Sequence, residues 1–399
     1  MSRSAYKGYR SFSYLDPGAD YRAYKLAPEV DRVPPHVVEL SSEQEARVDR
    51  LLDENISISL HDHGEVNPVD PAETDEWIRE GRIATGYEGL WKSRLTAVFE
   101  NFEDGVSTFT SKNGWKWNDV IHDIGMRYCD WDHQDFVIRA RGLDDIYHAF
   151  ETGRLAVFSS LESATPIENE LDRIDVLYGL GVRMLGIAYS EGNALGAGCR
   201  EERDAGLTHF GRRAVERMNK LGMVIDISHS GDVTSLETIA ASSKPVCISH
   251  SGSREMWPIS KCKSDEVIKA CAERGGIIGI EAAPGTTMTT DRMDTHDLDD
   301  VMRHFEYCVA LVGIDAVTFG PDTFFGDHSA SYQLGSGSLL VSGDSEYDRV
   351  TVPYVVGLEN IGDFPNIVRW LVKHDYSDED IAKVIGGNTL RVLEANWSV

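Results

Sequence analysis

The chain has 399 residues, of which 41% are hydrophobic and 26% charged, a composition with ample core that excludes a disordered or fibrous protein. Lys plus Arg number 39 against 66 Asp plus Glu, a formal net charge of −27. That surplus argues against a nucleic-acid backbone or an anionic membrane surface as partner and leaves a small molecule or another protein.

No run approaches the about 18 apolar residues that a spanning helix needs. The segment Met1 to Tyr14 carries basic residues without an apolar stretch behind them, and Asn396 to Val399 has no hydrophobic tail. Neither a secretory nor a lipid-anchor signal is therefore expected. The six cysteines have no CxxC spacing and are expected as reduced thiols in a cytoplasmic protein. The N-x-S sequons at Asn55 and Asn396 would then carry no consequence.

In chain order, residues 1–53 lack a strand-helix rhythm and read as an N-terminal extension, with one helix expected from Ser42 to Leu52. Residues 54–399 form the second unit. There, eight short β-rich runs each precede a stretch with helical signals: Ile56 to His61, Leu95 to Asn101, Leu155 to Glu162, Val182 to Tyr189, Met223 to His229, Pro245 to His250, Gly276 to Glu281 and Ala316 to Asp322. Repeated β-then-α is the signature of a parallel sheet. Thr208 is expected to cap a helix with a Phe210, Ala214, Met218 and Leu221 stripe that stops at Gly222. Ser377 is expected to cap another, ended by Gly386-Gly387, that closes the base of the domain. Long connections at 64–94, 102–150 and 323–355 follow the first, second and eighth runs, and Gly335 to Ser338 in the last has the composition of a lid.

An open doubly wound sheet and a closed (β/α)8 barrel produce the same one-dimensional pattern. The strand ends decide between them. His61, Glu162, His229, His250 and Asp322 stand at five different ends, as catalytic groups do in a TIM-type barrel, whereas an open sheet gathers its site near one switch point. The expected fold is thus an α/β (β/α)8 barrel in a single domain with an N-terminal extension.

His61 and His63 alternate along one strand and share a face if it persists to residue 63, so both imidazoles reach one cation. On its own an HxH pair would read as loop histidines. His229 and His250 each occur in a Ser-His-Ser triplet on adjacent strands and can bind a second ion, with Glu162 bridging through its two oxygens. Asp322 can take a proton from metal-bound water and deliver it to a leaving amine. His209, His304 and His328 have no comparable partners and read as ordinary polar or core histidines.

From about residue 54 onward these residues resemble the renal, or membrane, dipeptidase family of metallopeptidases within the amidohydrolase-like barrels. The resemblance rests on the HxD-like segment at 61–63, Glu162, GLTHFGRRAVERMNKLGMVIDISHS at 206–230, PVCISHSGSR at 245–254, GGIIGI at 275–280, GIDAVTFGPD at 313–322, and GLENIGDFPNI with GGNTLRVL near the end. It implies two divalent ions per chain, zinc first with manganese or iron(II) as alternatives. Glu162 would bridge them, His61 and His63 would hold one and His229 and His250 the other, and Asp322 would shuttle the proton after attack by hydroxide. It also implies a homo-oligomer.

Three positions depart from the family pattern. His63 replaces an aspartate, which makes the site about one unit more positive and should raise Lewis acidity while weakening hold on a second dication. Tyr189 falls where the family has a histidine contacting the scissile group. Lys261 falls on its arginine for the substrate carboxylate if the segment after Ser251 is aligned without gaps, and it would pair as a point charge instead of a fork. Tyr189, Arg254 and Lys261 are the substrate-binding candidates. The expected function is a metal-dependent hydrolase of a small amide, dipeptides being the family default. Non-peptide amides, cyclic amides or esters are the nearest alternative, and a decarboxylase-like enzyme or an inactive barrel a more distant one.

Overall fold

The computed structural model describes residues 5–80, 82–102, 116–330 and 352–397. Nine parallel strands are present among them: β1 (Ile58–Asp62), β2 (Ala97–Asn101), β3 (Val137–Arg139), β4 (Leu155–Leu161), β5 (Val182–Gly186), β6 (Val224–Asp226), β7 (Cys247–Ser251), β8 (Ile277–Ile280) and β9 (Val317–Phe319). Eight of them follow the order β1-β2-β4-β5-β6-β7-β8-β9. Backbone bonds from Asp322 N to His61 O (3.1 Å) and from His63 N to Thr323 O (2.9 Å) join the last strand's exit to the first. The result is the expected barrel, with helices such as His209–Leu221, Asp232–Ala241 and Leu298–Val312 between strands.

β3 was not foreseen. It lies inside the 102–150 connection, between the helices Trp117–Trp131 and Leu143–Thr152, and pairs with the first half of β4 (Val137↔Leu155 to Arg139↔Val157). β5 pairs with the other half (Ser159↔Val182 to Leu161↔Leu185), so two strands share one edge of β4.

Alternation along the strands separates two apolar clusters. Ile58, Leu60, Ala97, Phe99, Ala156, Phe158, Met184, Val224, Cys247 and Ile277 converge in the barrel interior. Their neighbours of opposite parity, such as Val98, Val157, Ile225, Ile248 and Ile278, pack under the helices. A strand buried on both faces has a near-continuous apolar run, which is why these segments are legible in sequence. Interior parity continues upward to Asn101, Glu162, Asp226, Ser249 and Glu281. In β1 and β7 the register shifts, between Ser59 and Asp62 and between Ile248 and Ser251. Such irregularities re-aim side chains: they turn His61 and His250, which strict alternation would send outward, into the mouth.

Thr208 caps its helix by accepting from Gly211 N, and Gly222 ends it at φ 78, as expected. Ser377 caps Asp378–Ala382, but Gly386-Gly387 does not end that helix. The chain continues through a π-helical turn, Lys383–Gly387, into Asn388–Trp397. A Cβ at Gly386 would stand 2.1 Å from Ile56 O, so the glycine is required by close approach of this turn to the strand below it. Asn388 Nδ2 donates to Val317 O (2.8 Å), which places the turn at the barrel base.

In the N-terminal extension, Ser41 and Gln44 form a capping box for the helix Ser42–Glu54. Arg369 of the helix Pro365–Lys373 binds Glu45, and Tyr9, Ser11 and Phe12 N converge on Asp130. The extension thus packs against the outer helices. The lid-like Gly335 to Ser338 lies outside the described residues.

Candidate metal centre and active site

Six side chains meet at the C-terminal mouth of the barrel, all buried. His61 Nε2 stands 3.4 Å from both Glu162 Oε1 and Asp322 Oδ1, and His63 Nε2 stands 3.3 and 3.2 Å from the same two atoms. On the other side, His229 Nε2 is 3.5 Å from Glu162 Oε2 and 3.0 Å from His250 Nε2. The His61 and His250 rings stack at 3.7 Å. The structure therefore gathers all five expected ligands and Asp322.

This donor set fits divalent cations. Ligand atoms about 2.1 Å from a tetrahedral ion stand roughly 3.4 Å apart, the spacing found between the imidazole nitrogens and the carboxylate oxygens. His61 Nε2 and Glu162 Oε2 are buried without a hydrogen-bond partner, an expensive arrangement for groups with nothing to bind. His61, Glu162, His250 and Asp322 offer ligand atoms within 4.8 Å of one another.

The electrostatics divide the site. Burial disfavours charge on His61 and His63, yet Asp322 and Glu162 outweigh it, raising His61 to about 9 and His63 well above its ordinary value. A positive charge belongs between those carboxylates. On the other side, burial first and Lys261 among its neighbours hold His229 and His250 far below the ordinary value. These two are neutral, the form in which imidazole ligates a metal. Asp322 is held well below the carboxylate range, its burial overcome by His250, His61 and His63.

Local backbone explains how Asp322 gets there. It adopts φ 59, a left-handed conformation that Asp and Asn tolerate better than most residues. Strained conformations of this kind collect at functional sites. Below it, Asp62 accepts from Thr323 N and Oγ1 (both 3.0 Å) and from Ser59 Oγ, tying the ends of β1 and β9 together. Asn101 Nδ2 donates to Glu162 Oε1 (2.9 Å) and orients the shared carboxylate.

The substrate-binding candidates fare differently. Tyr189 is buried and stacks on His229 at 3.9 Å. Lys261 is buried beneath the site, its Nζ donating to His250 O (2.9 Å) and Glu281 Oε2 (3.0 Å). Arg254 does not join them: its fork grips Asp232 (2.7 and 3.0 Å) and Nε donates to Cys262 O, so it braces its own loop.

Sequence reasoning passed over Glu281, although it ends the seventh expected run as the other site groups end theirs. Asn101, Asp226 and Ser249 were equally silent, being ordinary polar residues whose partners are distant in sequence. His328 is buried in the connection after β9, its ring 4.2 Å from Phe324, in keeping with a core histidine, and it lies in the field of Asp322, His63 and Glu162.

A family model for membrane dipeptidases (peptidase family M19) matches residues 122–398. Dipeptidase aclJ of Aspergillus oryzae is 25% identical over 320 residues, covering 79% of this chain and 68% of its own. Dipeptidase 3 of Rattus norvegicus is 26% identical over 278 residues, covering 68% and 50%. The match thus spans between half and about two thirds of these curated relatives. Among solved structures, an amidohydrolase from Pseudomonas aeruginosa aligns with a TM-score of 0.74 and 28% identity over 88% of this chain and 99% of that one. Since the family model covers more than half of the sequence, the chain belongs to the membrane dipeptidase family, peptidase family M19, a family of amide-bond hydrolases.

Proposed function

We propose that this protein is a divalent-metal-dependent hydrolase of small, dipeptide-like amides that holds two ions, zinc in the first instance. One observation carries the reading: Glu162 presents Oε1 to His61 and His63 and Oε2 to His229, whose Nε2 stands 3.0 Å from that of His250. The dipeptidase names of the relatives support the bond type.

Bound divalent cations would supply Lewis acidity toward the scissile carbonyl and lower the pKa of attacking water. The remaining work falls to side chains. Asp322 Oδ1, beside His61 and His63, takes the proton from the attacking water and passes it to the leaving nitrogen. Tyr189, stacked on His229, offers a hydroxyl but no charge toward the reacting group. Lys261 and Glu281 form a buried pair, so at this position a free substrate carboxylate meets an ammonium that already has a partner. With Arg254 held by Asp232, the reading favours substrates whose end beside the scissile amide is uncharged.

Metal analysis of the purified protein, combined with assays on dipeptides and their C-terminal amides before and after chelation, tests this. The expected result is one to two divalent ions per chain, chelator-sensitive turnover and preference for the amides. Metal-free protein with activity indifferent to chelators would overturn the assignment.

A further inference from the structure

A buried hydrogen-bond chain runs behind His250 that no ligand set includes. Asp226, the last residue of β6, accepts four hydrogen bonds: from Ser228 N (3.1 Å) and Oγ (2.6 Å) and from Ser249 N (2.9 Å) and Oγ (2.7 Å). Ser249 Oγ also lies 2.7 Å from His250 Nδ1. All four residues are at most 2% exposed, so the proton inventory closes without solvent.

A serine hydroxyl has one proton, and an ionised carboxylate only accepts. The Ser249 proton therefore goes to Asp226, leaving its oxygen to accept. The contact at 2.7 Å can then be made only by an N–H on His250 Nδ1. Nδ1 is protonated, and Nε2 carries a lone pair directed at the mouth. The second serine reinforces this: Ser228 Oγ accepts from His250 N (3.1 Å) and stands 3.0 Å from Ser249 Oγ, with its own proton on Asp226. His229 makes a useful contrast, since its Nδ1 is buried without a hydrogen-bond partner. Its ring stacks on Tyr189, and its contacts at 3.0 Å with His250 Nε2 and 3.5 Å with Glu162 Oε2 are both made by Nε2, so no partner on the Nδ1 side fixes its tautomer.

We propose that Ser249 and Asp226 are positioning residues that lock His250 in the Nδ1–H tautomer and thereby make its Nε2 a preformed ligand, whereas His229 acquires its ligating tautomer only on binding. The proposal rests on the reading of His250 as a metal ligand. Outer hydrogen-bond partners of ligating histidines typically contribute about 10- to 100-fold in metal affinity.

The test uses the full chain, with histidine-selective 15N NMR on metal-free protein and competition for Zn2+ against a chromophoric chelator. Metal-free wild type should show His250 with a protonated Nδ1 and an unprotonated Nε2. Ser249→Ala should bind Zn2+ at the His250 site about 10- to 100-fold more weakly with an unchanged circular dichroism spectrum. Ser228→Ala loses bonds in the same network but keeps the Ser249 to His250 contact, and should stay within a few-fold of wild type. A protonated Nε2 in the wild type, or Zn2+ affinity lowered as much by Ser228→Ala as by Ser249→Ala, would overturn the relay. If Ser249→Ala does not fold, the wild-type tautomer alone decides. Protein that shows the expected tautomer but binds no Zn2+ would overturn the proposed function and leave the relay standing.

Discussion

The two sides of Glu162 are built by different means. On the β1 and β9 side, His61, His63 and Asp322 are fixed by backbone bonds across the barrel seam, with Asp62 clamped on Thr323. On the β6 and β7 side the ladder has a single registered pair, Asp226 with Cys247, and the serine relay takes over the ordering of His250. The charges differ in parallel. Two carboxylates draw positive charge to the first side, while burial keeps the imidazoles of the second neutral. A site holding the two ions proposed above would gain from such a division, because the carboxylates would gather at one ion and the second would be met by neutral nitrogen.

Removing the group common to both sides should have the largest effect. Glu162→Gln is expected to lower metal retention after dialysis by more than the roughly 10- to 100-fold typical of an outer-shell partner, with turnover falling accordingly. If one side loses its ion and the other keeps it, the sides are independent and the bridge is not shared.

Next in size is Asp322→Asn, for which turnover should fall about 10²- to 10⁴-fold while metal content persists. Asparagine also tolerates φ 59, so the melting temperature should barely move. Near-normal turnover would reduce Asp322 to an element of the seam.

Glu281→Gln separates substrate choice from metal chemistry. Lys261 would then present an unneutralised ammonium, and kcat/KM for a free dipeptide should rise about tenfold relative to its C-terminal amide, the scale of one charge-assisted hydrogen bond. An unchanged ratio would show that Lys261 only braces the His250 carbonyl.

A separate effect, on stability and not on turnover, concerns the foundations of the first side. Arg127 is buried among Glu65, Glu100 and Asp123, and Glu100 also accepts from Gly64 N. One cation cannot neutralise three carboxylates. Burial, against the pull of Arg127, raises Glu100 to about 7 and Asp123 to about 6. An acid held up in the fold keeps a proton that the unfolded chain has released, so stability present below the ordinary value of 4.5 is lost as pH rises through 7. Denaturant unfolding of the wild type should weaken by on the order of 2–3 kcal/mol across that window. Glu100→Gln should flatten the slope, and an unaltered slope would place the titration elsewhere.

Much of this was legible in sequence because it follows from burial periodicity. The eight barrel strands show as apolar runs, and their polar exits mark the mouth. β3 was not, since three residues with a buried, a half-buried and an exposed side chain carry no pattern above that of a loop. The candidate ligands could be picked out by residue type and strand position, but the register shifts that aim His61 and His250 depend on the neighbouring strands. Arg254 shows the limit most plainly. It stood among the substrate-binding candidates, and only the fold brings Asp232 against both arms of its guanidinium. Glu281 is the opposite case: the rule that identified Glu162 applies to it equally, and its partner Lys261, 20 residues upstream, could not be inferred from the run itself.

The most direct test of two dissimilar metal sides is anomalous diffraction at the zinc edge from crystals of the zinc-loaded protein. Two peaks are predicted, one among His61, His63 and Asp322, the other between His229 and His250, with Glu162 spanning them. The absence of anomalous density at the barrel mouth, or a peak bound by none of these residues, would contradict the account.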